Sequence, residues 1–138
     1  MYLNTSVLVS SLTNEARTAE IQVWLSGLTA PAAISPCCIT EFSAALSLKE
    51  RMGMLESDER RDARERLHLF AAGMLNVIGI VGADFERAAA LADIHRLGLR
   101  GGDSLHLAVA ERADLTLATL DKAQAAAGRA LGLSTLLL

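Results

Sequence analysis

Five short apolar runs, each separated from the next by a stretch with helical spacing, confine this chain to few folds. The runs are Met1-Tyr2-Leu3, Ala32-Ala33-Ile34-Ser35, Asn76-Val77-Ile78-Gly79-Ile80, Leu115 to Thr119, and Leu133 to Leu137. Each is apolar on both faces, as strands are when layers cover them on either side. Alternation of such strands with helices predicts a three-layer α/β sandwich: a five-stranded parallel sheet with helices on both faces. Ligands of such sheets sit at the carboxyl ends of the strands, where the strand order switches. At 138 residues the chain reads as one domain, 1–138.

Aromatics make up only 4% of the chain, so the core must be built from Ala, Leu, Val and Ile. Thirteen basic against sixteen acidic side chains leave a formal net charge of −3. That balance argues against holding nucleic acid by bulk basic charge. It leaves open an enzyme that handles nucleic acid through a metal. Between Lys49 and Arg66 six basic and six acidic residues alternate, a mixed solvated face and not a basic stripe.

Helical spacing marks the intervening segments. Thr5 and Ser6 can cap a short apolar helix containing Val7, Leu8, Val9 and Leu12. A second helix from about Glu15 to Ser26 carries Ile21, Trp24 and Leu25 on one face. Others are expected over Cys38–Arg51, with Phe42, Ala45, Leu46 and Met52 in line, and over residues 57–75. Asp84 to Leu97 reads as one helix with Phe85, Ala88, Ala89 and Ala92 inward, ended by Gly98. Arg100-Gly101-Gly102 reads as a flexible connection before a helix opened by Asp103. Asp121 opens the last helix, which closes near Gly128.

Cys37 and Cys38 are neighbours and badly placed for an ordinary disulfide. With no cysteine or histidine near them in sequence, they are expected to be two buried thiols in a reducing cytosol. No basic run precedes an apolar N-terminal segment. The apolar stretch Leu69–Ala83 is short for a span and contains Asn76 and three glycines. A soluble, cytoplasmic protein is expected, with no membrane partner.

Four oxygen-bearing side chains fall just past strands or at helix starts: Asn4, Glu41, Asp103 and Asp121. A parallel sheet brings these places to one edge. Three carboxylates packed together repel one another unless a cation is present. Mg²⁺ or Mn²⁺ prefers oxygen ligands and keeps several waters. Such a cation can prepare water for attack on a phosphodiester. Each residue taken singly is equally suited to capping a helix; their joint placement is what points to a site.

At these positions the sequence resembles the PIN-domain endoribonucleases, specifically the VapC-type toxins of toxin–antitoxin pairs. The resemblance spans nearly the whole chain. It is carried by Tyr2-Leu3-Asn4-Thr5-Ser6-Val7-Leu8-Val9, Ile39-Thr40-Glu41-Phe42-Ser43-Ala44-Ala45-Leu46, Gly102-Asp103-Ser104-Leu105-His106-Leu107-Ala108 and Leu117-Ala118-Thr119-Leu120-Asp121. It implies a PIN-like sandwich and cleavage of RNA at an acidic cluster that binds Mg²⁺ or Mn²⁺. Carried over, Asn4, Glu41, Asp103 and Asp121 become the catalytic and metal-binding positions. Thr5, Ser6, Ser104 and Thr119 become candidates to orient them. The resemblance also implies a homodimer and a cognate antitoxin whose C-terminal segment covers the acidic site.

The sequence departs from the family at Asn4, where the pattern has Asp. Asn keeps one oxygen and loses the charge, so weak metal binding and much reduced cleavage are expected. The change reads as an engineered Asp-to-Asn inactivation, the favoured explanation, or as a naturally degenerate member. A native Asn4 would fit a module that binds RNA or a partner without cutting. A different α/β phosphohydrolase is disfavoured because no Asp-x-Asp pair follows the first strand. His106 is three residues beyond Asp103 on the same helix side and is expected to be a helix-face or core histidine. Arg100, Lys122 and Arg129 are the basic residues best placed to meet RNA phosphates.

Overall fold

The computed structural model describes residues 1–138. Its strands are β1 (Tyr2–Leu3), β2 (Ala32–Ile34), β3 (Leu75–Val77), β4 (Leu117–Thr119) and β5 (Thr135–Leu137). Its helices are α1 (Thr5–Leu12), α2 (Thr18–Ser26), α3 (Pro36–Arg51), α4 (Ser57–Met74), α5 (Gly82–Ala92), α6 (Gly101–Arg112) and α7 (Lys122–Ala130). The strands form one sheet in the order β3-β2-β1-β4-β5, every pair parallel. The α/β sandwich expected from the alternation is therefore the fold.

Every residue of β1, β2 and β4 is buried, so helices cover both faces of the sheet's centre. Tyr2 pairs with Ala33 on one side and Leu117 on the other, placing β1 in the middle. The chain runs outward through β2 and β3, then crosses back to β4 on the far side of β1. That reversal puts the switch in strand order beside β1. The core is Leu- and Ala-rich, with Tyr2 and Phe42 as its fully buried aromatics. No helix is long and apolar enough to cross a membrane.

Several local expectations change. Asn4, and not Thr5 or Ser6, caps α1: its Oδ1 accepts from the Ser6 N–H at 2.9 Å, and Thr5 and Ser6 already lie in the helix. β3 begins at Leu75 and ends at Val77, earlier than the apolar run suggested, because Ile34 pairs with Val77 where β2 gives way to α3. Helix α5 stops at Ala92, and His95–Leu97 forms a separate 3₁₀ turn ended by Gly98 at φ +60°.

The buried stripe of α5 is Asp84, Ala88 and Leu91, whereas Phe85 is 58% exposed. The cause is Arg112, whose guanidinium draws Asp84 inward through bonds of 2.6 and 3.0 Å. A residue one step along the helix then turns outward. Met52 lies past the end of α3 and is exposed. Gly101 and Gly102 form the first turn of α6 and are not a flexible connection.

Candidate active site

Short strands ending at a common level set the site. β1 ends at Leu3 and delivers Asn4; β4 ends at Thr119 and delivers Asp121. Glu41 sits in the second turn of α3, just after β2, and Asp103 in the first turn of α6. Buried polar side chains gather at this end of the sheet: Asn4, Thr5, Ser35, Ser104, His106, Thr119 and Gln124.

Each carboxylate uses one oxygen within the protein and keeps the other free of protein donors. Glu41 Oε2 accepts from Thr5 Oγ1 at 2.6 Å and bonds His106 Nε2 at 2.7 Å. Glu41 Oε1 lies against Gly102, where a β-carbon would collide with it. Asp103 Oδ2 accepts a long bond of 3.3 Å from the Arg100 N–H. Asp121 Oδ1 caps α7, taking the Ala123 and Gln124 N–H groups at 2.7 and 3.0 Å. Capping and presentation of a free oxygen are thus compatible roles for the same side chain.

Electrostatics ties the three together. Burial raises the Asp103 carboxyl, the Arg100 N–H bond opposes that, and the negative charges of Asp121 and Glu41 push it up further. The His106 hydrogen bond, opposed by burial and aided by Thr5, holds Glu41 below the usual carboxylate range. Burial disfavours a charged His106, but its hydrogen bonds to Cys38 and Glu41 outweigh this and push it up to about 9. Unclaimed hard oxygens that repel one another are a donor set suited to Mg²⁺ or Mn²⁺.

Asn4 differs at the atom that matters. Its Oδ1 is engaged by Ser6, so the remaining polar atom is the Nδ2 amide, a donor that disfavours a cation. An Asp in the same rotamer would keep the cap and present an oxygen, as the other three positions do.

The candidate orienting hydroxyls divide. Thr5 bonds Glu41 directly. Thr119 Oγ1 accepts from the Asp121 N–H at 3.0 Å, and Ser6 Oγ accepts from the Leu120 N–H at 3.0 Å, so both fix the turn that carries Asp121. Ser104 Oγ donates to the Arg100 carbonyl within its own helix and touches none of the carboxylates. Arg100 and Lys122 are exposed beside the acidic positions, and neither is in an ion pair. Arg129 lies at the other end of α7 from Asp121, about 12 Å along the axis, and does not join them.

His106 is both the core histidine expected and a neighbour of the site. It is 1% exposed, and its Nδ1 bonds Tyr2 Oη at 2.9 Å. The cysteines also change reading: Cys38 is buried, but Cys37 is half-buried and lies near Glu41 and His106. Sequence distance concealed this, since 65 residues separate Glu41 from His106. The helical offset of three between Asp103 and His106 was the available signal. A cavity lined by Leu12, Leu25, Leu28, Phe70 and Met74 opens near Ala32 and Leu75 at the amino ends of β2 and β3, away from the carboxylates.

The PIN-domain family matches residues 1–130. The chain belongs to the PIN domains. No curated protein matches its sequence. Among solved structures this PIN domain is similar to VapC20 of Mycobacterium tuberculosis, a sarcin-ricin-loop-cleaving toxin, with TM-score 0.75 and 17% identity over 92% of this chain and 94% of that one. It is also similar to a chain of a toxin–antitoxin complex from Klebsiella pneumoniae, with TM-score 0.61 and 21% identity over 87% and 85% of the two chains. VapBC2 of Rickettsia felis, bound to a promoter DNA fragment, contains a chain with TM-score 0.69 and 18% identity over 98% and 96%. At these identities the likeness is one of fold. It places the present sheet within the PIN architecture.

Proposed function

We propose that this PIN domain is a divalent-metal-dependent endoribonuclease of the VapC toxin type, with activity reduced by Asn4. The observation that carries the reading is the set of unclaimed oxygens on Glu41, Asp103 and Asp121 at the carboxyl edge of the sheet. Those three residues would hold Mg²⁺ or Mn²⁺, with position 4 completing the set when it is Asp. A cation there supplies charge stabilisation for a phosphodiester and acidifies water. Thr5 and His106 fix the Glu41 carboxylate, while Thr119 and Ser6 fix the turn bearing Asp121. Arg100 and Lys122 offer exposed positive charge beside the site for RNA phosphates, which the net charge of −3 otherwise disfavours.

The toxin–antitoxin assembly of the Klebsiella relative supports a cognate antitoxin as partner, and a homodimer is the assembly we propose. The donor amide of Asn4 favours a second reading, a non-cleaving module that binds RNA or a partner. RNA cleavage by the Asn4→Asp protein with Mg²⁺ or Mn²⁺, beside the protein as it stands, decides between them. Restored cleavage that Asp103→Asn then abolishes supports the nuclease. Failure of Asn4→Asp to cut any of a broad RNA panel, with RNA or antitoxin still bound, supports the module.

A further inference from the structure

Glu41 faces two different sets of donors. Toward Asp103 and Asp121 the set is all oxygen. Toward Cys37 and His106 it is sulfur and nitrogen. Cys37 lies one helical turn before Glu41 on α3, and His106 one turn after Asp103 on α6, so each helix sets its pair on one face. The Cys37 Sγ, a Glu41 carboxylate oxygen and a ring nitrogen of His106 lie within 4.8 Å of one another. We propose that Cys37, Glu41 and His106 form a Zn²⁺ site that competes with the all-oxygen site for Glu41.

Donor chemistry selects the ion. Thiolate, imidazole and carboxylate together select zinc over magnesium. Donors about 2.0–2.3 Å from a tetrahedral zinc stand roughly 3.4–3.6 Å apart. The His106–Glu41 contact must therefore open from 2.7 Å, while Cys37 closes in by a side-chain rotation. Binding releases the Cys37 thiol proton and the Nε2 proton of His106 to solvent.

A supporting shell is already built. The far nitrogen of His106, Nδ1, is 2.9 Å from Tyr2 Oη, which is 2.7 Å from Ser35 Oγ. With Nδ1–H donating to Tyr2 and Tyr2 donating to Ser35, Nε2 is left to the metal. Zinc-bound histidines carry just such a partner on their second nitrogen. Cys37 and Glu41 are half-buried, which leaves an entry path and an open fourth position. Zinc at this place draws Glu41 out of the acidic cluster; the inhibition of cleavage that follows rests on the nuclease reading, but the binding does not.

The test reads bound metal in the full chain. Equilibrium dialysis against Zn²⁺ in excess Mg²⁺ should leave one zinc per protein. Cys37→Ser should lower the affinity by about tenfold or more and Tyr2→Phe by a comparable factor, whereas Asp121→Asn should not lower it. Cobalt substitution should give a sulfur-to-cobalt absorption band that Cys37→Ser removes. No retained zinc, or retention that ignores Cys37→Ser and falls with Asp121→Asn, overturns the proposal. Cys37 is not in the core, so circular dichroism of Cys37→Ser separates loss of a ligand from loss of the fold. None of these readouts depends on RNA cleavage, so failure here leaves the nuclease reading to its own test.

Discussion

Glu41 Oε2 is 2.7 Å from His106 Nε2, and that contact joins a half-exposed carboxylate to a ring that is 1% exposed. It decides which Glu41 oxygen is spoken for and which is presented to the acidic cluster.

The same contact makes the stability of the metal-free protein depend on pH. The His106 imidazole is raised from its ordinary 6.5 to about 9, so the folded state holds its proton more tightly than the unfolded state does. The resulting stabilisation is complete below pH 6.5 and is lost as pH rises through about 9. Urea titrations across that window should show a falling midpoint for the parent and a flatter profile for His106→Asn. A parent midpoint that rises with pH would refute this account.

Asn4→Asp adds a carboxylate to a cluster that already repels itself. Without metal, Asn4→Asp should melt no higher than the parent, because the Ser6 cap is kept and charge repulsion is added. With millimolar Mg²⁺ or Mn²⁺ its melting temperature should rise more than the parent's, since an ion bound only to the folded state stabilises it. Equal metal-induced shifts in the two proteins would remove Asn4 from the site.

Gly102→Ala should injure the site more than the fold. Its β-carbon would meet Glu41 Oε1, the end of a flexible side chain, while the backbone stays clear. The carboxylate must then swing away from position 102. Metal affinity of the Asn4→Asp protein should fall about tenfold on adding Gly102→Ala, corresponding to roughly 1.4 kcal/mol. The denaturation midpoint should change little. An unaltered affinity would show that Glu41 Oε1 is not a ligand.

The pair Asp84–Arg112 should respond asymmetrically to mutation. Asp84 is 1% exposed, also accepts the Val81 N–H at 2.9 Å, and is held below the usual carboxylate range chiefly by the Arg112 hydrogen bond. Asp84→Asn keeps acceptors and frees a guanidinium that can reach water, costing about 1–2 kcal/mol. Arg112→Met strands a buried carboxylate and should cost more. Chemical denaturation of the two variants gives the order, and the reverse order would refute the argument.

Much of the fold is legible because local pattern and burial share one cause. Runs such as Ala32-Ala33-Ile34 and Leu117-Ala118-Thr119 are apolar throughout because layers cover both faces. Helix faces were harder to read. Phe85 turned outward because the partner of Asp84 is Arg112, 28 residues away, and hydrophobicity alone cannot register that pairing. Gly101-Gly102 reads as a flexible connection because glycine lowers helix propensity. Contact with Glu41 explains why a residue without a side chain stands at Gly102.

Sequence by itself determined the parallel α/β sheet and the placement of Asn4, Asp103 and Asp121 at strand ends and helix starts; Glu41 lies a turn deeper, because α3 begins at Pro36 and not at Cys38. These follow from side-chain period and chain direction, which are local properties. Tertiary structure alone decided which oxygen each carboxylate keeps free, that Asn4 presents an amide nitrogen, and that Tyr2, Cys37 and His106 meet beside Glu41. Those outcomes depend on how crossovers bring distant helices together, and a hydrogen bond is decided by tenths of an ångström that no sequence interval encodes.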